Sequence, residues 1–127
     1  MIGSTRAVRV FAYAAPVDMR KGYEGLSALV RNELARDILA GELYLFTNRR
    51  RTRAKVLLFD GTGLCIYMKR MDKGLFAPLW RSGQDGSALS LTMSELSLFL
   101  EGSQLVGRRE LSPPALTQED LVVSIPM

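Results

Sequence analysis

ELYLFTNRRRTRAKVLLFDGTGLCIYMKR, residues 42–70, is the stretch whose reading decides the fold. It holds three short apolar runs, residues 42–47, 55–59 and 64–68, each rich in β-branched and aromatic side chains and each too short for a stable helix. The first two are separated by an arginine-rich turn that begins at Asn48. The second and third are separated by Asp60-Gly61-Thr62-Gly63, a strong hairpin signal because Asp and Gly tolerate the backbone angles of a tight reversal. Three consecutive strands joined by short turns predict an antiparallel meander. Their near-continuous apolar character predicts strands covered on both faces or central in a sheet.

Upstream, residues 7–13 read as a first strand closed by Pro16. Asp18 is placed to cap a helix, and Leu26, Leu29, Val30, Leu34 and Ile38 recur at three- and four-residue steps, which predicts a helix over 19–40. Gly22 and Gly25 weaken its start by roughly 1 kcal/mol each relative to Ala, which suggests that a neighbouring backbone approaches there. Gly41 stands where a helix C-terminal glycine would. Downstream, residues 75–77 offer a fifth strand cut short by Pro78, 82–87 a loop and 88–91 a short strand. Thr92 and Glu95 have the spacing of a capping box, opening a short helix with Met93, Leu96, Phe99 and Leu100 inward and Gly102 at its end.

The expected fold class is therefore α+β: a small, mostly antiparallel sheet, a meander of about five strands, with one long N-terminal helix and one short C-terminal helix. Residues 1–102 make a single domain, which suits a chain of 127 residues. Residues 103–127 lose the pattern after Gly102, are broken by Pro113-Pro114, and read as an extended, partly disordered tail. Its apolar end, Leu121 to Ile125, is suited to dock on a sheet edge.

Composition narrows function. The chain has no histidine and one cysteine, so the usual zinc ligand sets and every Ser-His or Cys-His nucleophile are out of reach. Lone Cys65 closes no internal disulfide and, inside an apolar strand, reads as a buried small hydrophobe. A two-metal nuclease needs about three convergent carboxylates. Asp18, Asp37, Asp60 and Asp72 are available, but Asp18 reads as a cap and Asp60 and Asp72 as turn residues. The expectation is a non-enzyme without cofactor or metal. With no run of about 20 apolar residues and no signal-like N-terminus, it is also a cytoplasmic protein without a membrane partner.

Charge points to the partner. Net charge is only +4, yet residues 49–81 carry nine basic side chains against Asp60 and Asp72, while the rest of the chain is net −3. Guanidinium groups match phosphate with a planar fork of donors and stay protonated at working pH. If the third and fourth strands pair about the Asp60-Gly61 turn, their far ends meet, and Arg49, Arg50, Arg51, Arg53, Lys55, Lys69, Arg70 and Lys73 become one nucleic-acid-binding surface. Charge alone does not separate DNA from RNA. Tyr44, Phe46, Phe59 and Tyr67 alternate within strands and read as core before they read as base-stacking platforms.

Three motifs in series resemble a known family. Val17-Asp18-Met19-Arg20-Lys21-Gly22-Tyr23-Glu24-Gly25-Leu26 is similar to the first motif of the TnpB-type accessory proteins of the insertion sequence 66 transposon family, encoded beside the transposase. Residues 45–51, with Lys55-Val56-Leu57 and Asp60 to Leu64, resemble the second. Lys69-Arg70 with Gly74 and Phe76 resembles the third, although Pro78-Leu79-Trp80 departs from its aromatic-Trp-Pro ending. The resemblance covers about residues 8–102. It implies a protein needed with a separate transposase for movement of the element, with DNA at transposon ends, the transposase and another accessory protein as partners. Its matched basic positions are Arg49, Arg50, Arg51, Lys55, Lys69 and Arg70, with Arg20 and Lys21 either extending the surface or pairing with Glu24. The rival expectation is an interaction module that docks on the transposase without touching DNA.

Overall fold

In the computed structural model, which describes residues 8–81 and 86–102, the stretch 42–70 forms three strands in succession. These are β2 (Leu43–Thr47), β3 (Arg53–Phe59) and β4 (Leu64–Arg70), paired antiparallel in that order. Asp60 makes the β3–β4 turn: one carboxylate oxygen accepts from the Thr62 and Gly63 amides at 2.8 and 3.0 Å and from the Thr62 hydroxyl at 2.9 Å. Those donors favour the ionised form and hold the Asp60 carboxyl down at about 2.

The sheet as a whole is not the antiparallel meander expected. It is mixed, with strand order β4-β3-β2-β1-β5. β1 (Val10–Tyr13) lies parallel to β2, with Val10 opposite Leu43 and Ala12 opposite Leu45. β5 (Ala88–Leu91) pairs antiparallel with the outer side of β1. The physical reason is the connection. A chain that leaves β1 and re-enters the sheet beside it in the same direction must first travel back along the sheet, and the helical segment 23–40 makes that crossover.

That segment is not one long helix. α1 runs only from Tyr23 to Asn32, and a separate 3₁₀ turn covers Ile38–Ala40. Asp18 does not cap it: its carboxylate accepts instead from the backbone and side chain of Arg20, and Gly22 occupies the cap position with no side-chain bond. At the other end the chain turns through Ala35, whose φ of +55° lies in the left-handed region, and the Arg36 amide donates back to Val30. Leu34 and Ile38 keep the helical spacing because both still pack toward the core, Leu34 buried and Ile38 half-buried. At Gly25 the close neighbour is the Lys21 side chain, about 3.1 Å from where a Cβ would stand, and not a backbone; at Gly22 the space is open.

Each sheet face carries its own cluster. On one, Leu26 and Val30 of α1 pack on Phe11, Tyr13, Tyr44, Phe46 and Leu57. On the other, Leu96 and Phe99 of α2 (Met93–Leu100) cover Val10, Ala12, Leu45, Ala54 and Val56. The capping box of α2 is formed by Thr92 and Glu95 through bonds of 3.0 and 2.8 Å. Residues 75–77 are not a strand. They belong to the loop after β4, and buried Phe76 stacks on Phe99 with ring centres 5.0 Å apart. Covering on both faces holds for β2 and not for β4, which is an outer strand with Tyr67 52% and Met68 57% exposed. Cys65, on that strand, is half-buried. Of the loop expected at 82–87, residues 82–85 lie outside the described residues, as does the tail expected at 103–127.

Ala35 yields a direct test. A left-handed backbone costs an L-residue roughly 1–2 kcal/mol that glycine avoids. Ala35→Gly is expected to raise the unfolding free energy by about 0.5–1 kcal/mol, part of the gain being offset by the freer unfolded chain, as read from the urea midpoint at unchanged slope.

Candidate nucleic-acid interface

The parallel pairing of β1 and β2 sends both strands out at the same end of the sheet. β3 begins there, with Ala54 opposite Thr47; β4 ends there, with Arg70 opposite Arg53; β5 starts there, with Ala88 opposite Tyr13. Three connections therefore crowd one end: residues 14–22, 48–52 and 71–87. Among the described residues they carry Arg20, Lys21, Arg49, Arg50, Arg51, Lys73 and Arg81, with Arg53, Lys69 and Arg70 at the adjoining strand ends, against Asp18 and Asp72.

The turn from β2 to β3 is organised by Asn48. Its side-chain oxygen accepts from the Thr52 and Arg53 amides at 2.9 and 3.1 Å, its amide group donates to the Thr52 hydroxyl at 2.9 Å, and its carbonyl accepts from the Arg51 amide at 3.1 Å. Arg51 sits at a φ of +61° and is pinned by Phe76 from both directions. The Phe76 amide donates to the Arg51 carbonyl at 2.7 Å, and the Arg51 guanidinium donates to the Phe76 carbonyl at 3.1 Å. Because Phe76 is anchored on Phe99, the arginine turn is tied to the core cluster beneath α2.

Two lysines of the expected surface are built into the fold. Lys55 is only 8% exposed, on the α1 face of β3, and its ammonium donates to the Met19 and Lys21 carbonyls at 2.7 and 2.8 Å. A buried charge needs such partners, and in finding them Lys55 fixes the segment 18–21 against the sheet. Lys69 lies on the opposite face and donates to the Leu100 carbonyl at 2.6 Å, satisfying an orphan acceptor where a cation also complements the helix dipole.

With 51, 55 and 69 so engaged, Arg49, Arg50, Arg53, Arg70 and Lys73 are exposed and have no acidic partner among the described residues. Arg53 and Arg70 face each other across β3 and β4. Arg49, Arg50 and Arg53 form one wall of an open groove of about 480 Å³ whose other wall is Pro16 to Arg20. The single acid in it, Asp18, is held by Arg20 through a contact of 2.7 Å, so the Arg20 cation is shared with an internal partner while its side chain stays 92% exposed. That pairing, not one with Glu24, draws the Asp18 carboxyl down to about 2. Lys21 is exposed.

Other candidates lie elsewhere. Asp37 caps the 3₁₀ turn by accepting from the Leu39 amide, and Asp60 sits at the far end of the sheet. Tyr44 and Phe46 are core, and burial beside Glu42 pushes the Tyr44 hydroxyl up to about 12. Phe59 is half-buried and Tyr67 exposed. Asn48 opens the turn as its position in the sequence suggests, whereas the hold of Phe76 on Arg51 has no local sequence signal.

A family model described as "IS66 Orf2 like protein" matches residues 8–110. Among curated relatives, "Uncharacterized protein y4hO" of Sinorhizobium fredii (strain NBRC 101917 / NGR234) is 35% identical over 102 residues, covering 80% of this chain and 86% of the relative. "Uncharacterized protein y4jC" of the same strain is 34% identical over 102 residues, covering 80% and 85%. No solved structure matches the chain significantly.

Two outcomes follow from this geometry. Lys55→Met removes the donor from two carbonyls and is expected to cost about 2–3 kcal/mol, with faster amide exchange in 18–22. The depressed Asp18 carboxyl contributes stability above its ordinary value of 3.8, lost as pH falls towards about 2. The destabilisation caused by Asp18→Asn is therefore expected to be largest at pH 7 and to shrink between about pH 4 and 2, as followed by thermal unfolding.

Proposed function

The chain belongs to the IS66 Orf2-like family, accessory proteins of an insertion-sequence element associated with the transposition machinery, and from that premise we propose that it is a non-catalytic DNA-binding factor acting at transposon ends. Its expected place is the cytoplasm, with the element's transposase as a further partner. Among the described residues no helix is long and apolar enough to cross a membrane. The supporting observation is the convergence, at one end of the sheet, of Arg49, Arg50, Arg53, Arg70 and Lys73, exposed and unpaired among the described residues.

The mechanism is electrostatic. The guanidinium forks of Arg49, Arg50 and Arg53 take phosphate oxygens along the groove, Arg70 and Lys73 continue the track, and Arg20 with Lys21 extends it. Arg51, Lys55 and Lys69 serve as positioning residues: they hold the three connections in place so that the free cations are presented together. Contacts of this type grip backbone and carry no base readout.

The test is a fluorescence anisotropy titration of duplex element ends over a salt series. About five phosphate contacts give a slope of log affinity on log salt near −4. The combined change of Arg49, Arg50 and Arg53 to Ala is expected to reduce its magnitude by roughly three. A flat slope for the unmodified protein, or one untouched by the triple change, overturns the reading. If the purified transposase is instead captured without nucleic acid, and the triple change abolishes that capture, the basic end serves protein docking.

A further inference from the structure

We propose that residues 121–125 of this chain add to the open edge of β4 as a sixth, antiparallel strand. The edge itself comes first. β4 is the outermost strand on its side, seven residues long, and exposes Tyr67 and Met68 by more than half. A long apolar edge of this kind is a template for another strand unless something covers it. The opposite edge, β5, has four residues and exposes only the small Ala88 and Ser90 among them.

The point of departure of the chain comes second. The C-terminus of α2 is tied to the end of β4 by the bond from Lys69 to the Leu100 carbonyl, and Gly102 lies beside Met71, whose methyl is 2.7 Å from where a glycine Cβ would stand. The chain therefore leaves the described fold next to the strand it would pair with. Sixteen residues separate Gly102 from Glu119; extended, they span roughly 50 Å, more than twice the length of β4.

Complementarity supplies the direction. Glu119-Asp120 precede Leu121-Val122-Val123-Ser124-Ile125, while in β4 the apolar run precedes Lys69-Arg70. Only antiparallel pairing sets acids against bases. In the register that puts Glu119 opposite Arg70 and Asp120 opposite Lys69, the acid pair competes with phosphate at Arg70 and leaves Arg49, Arg50 and Arg53 to the groove, while Leu121, Val123 and Ile125 meet Met68, Ile66 and Leu64 on the α1 face. Val122 then meets Tyr67, and Ser124 meets Cys65, on the α2 face. A parallel run would place the acid pair near Asp60. Opposed charges and apolar pairs each stabilise such a ladder.

Cys65, the only cysteine, reports on this register. Residues directly opposite in an antiparallel pair lie within disulfide reach, whereas a neighbour along the strand points to the other face. Oxidised full-length Ser124→Cys is expected to yield, within one chain, a disulfide between Cys65 and the introduced thiol, at least tenfold more than Val123→Cys does by peptide mapping. In the otherwise unmodified protein, Val122→Pro is expected to speed amide exchange at the outward-facing half of the β4 amides about tenfold. Equal yields at 123 and 124, links only between chains, or exchange unchanged by Val122→Pro would each overturn the proposal. Links only between chains would assign the edge to a second copy.

Discussion

Two strands running the same way cannot be joined by a tight turn, and this constraint on β1 and β2 shapes the molecule. It forces a crossover, which α1 and the 3₁₀ turn supply, and so places one apolar layer on one face of the sheet. It also returns the chain to its starting end, so that the exits of β1, β2 and β4 and the entries to β3 and β5 coincide. In a pure meander, connections alternate between the two ends, and the basic segments at 20–21 and 49–53 would not be brought together by topology alone. The concentration of positive charge is thus a consequence of one parallel pair.

Charge crowded at one end tends to push its own scaffold apart, and the protein counters this by employing some cations as internal donors. Lys55 holds two carbonyls of the first connection, Arg51 holds Phe76 of the third, and Lys69 closes the end of α2. None relies on an acid. Each is a charge-assisted bond to a backbone carbonyl, stronger than its neutral counterpart, and each leaves the net positive charge of the end intact. An acidic partner among these segments would have tied them while cancelling part of that charge.

Much of this was legible beforehand. The strands at 43–47 and 64–70, the Asp60 turn and the Thr92–Glu95 box come from local chemistry, and local chemistry is what a sequence displays. The parallel pair was not, because an apolar run looks the same whichever way its neighbour runs. The apolar periodicity runs past the helix because Leu34 and Ile38 still face the core after the chain has turned at Ala35. Asp18 resembles a cap in sequence because a carboxylate accepting a nearby amide serves a turn as readily as a helix. As for the site, convergence of the basic runs was visible in the hairpin logic. The burial of Lys55 was harder to see: it shares a face with Leu57 by the two-residue period, but a lysine among arginines reads as one more surface charge.

Arg53 and Arg70 stand directly across from each other on neighbouring strands, both positive and both at the open end. Like charges so placed weaken the pairing they sit on. An anion seated between them reverses the sign of that contribution, so its arrival tightens the last rung of the ladder as well as occupying a surface. By mass action, whatever binds the folded form there draws the folding equilibrium with it. Under the proposed function, recognition and consolidation of the sheet would then be a single thermodynamic event, with the bound polyanion acting as a clasp on the edge that receives it.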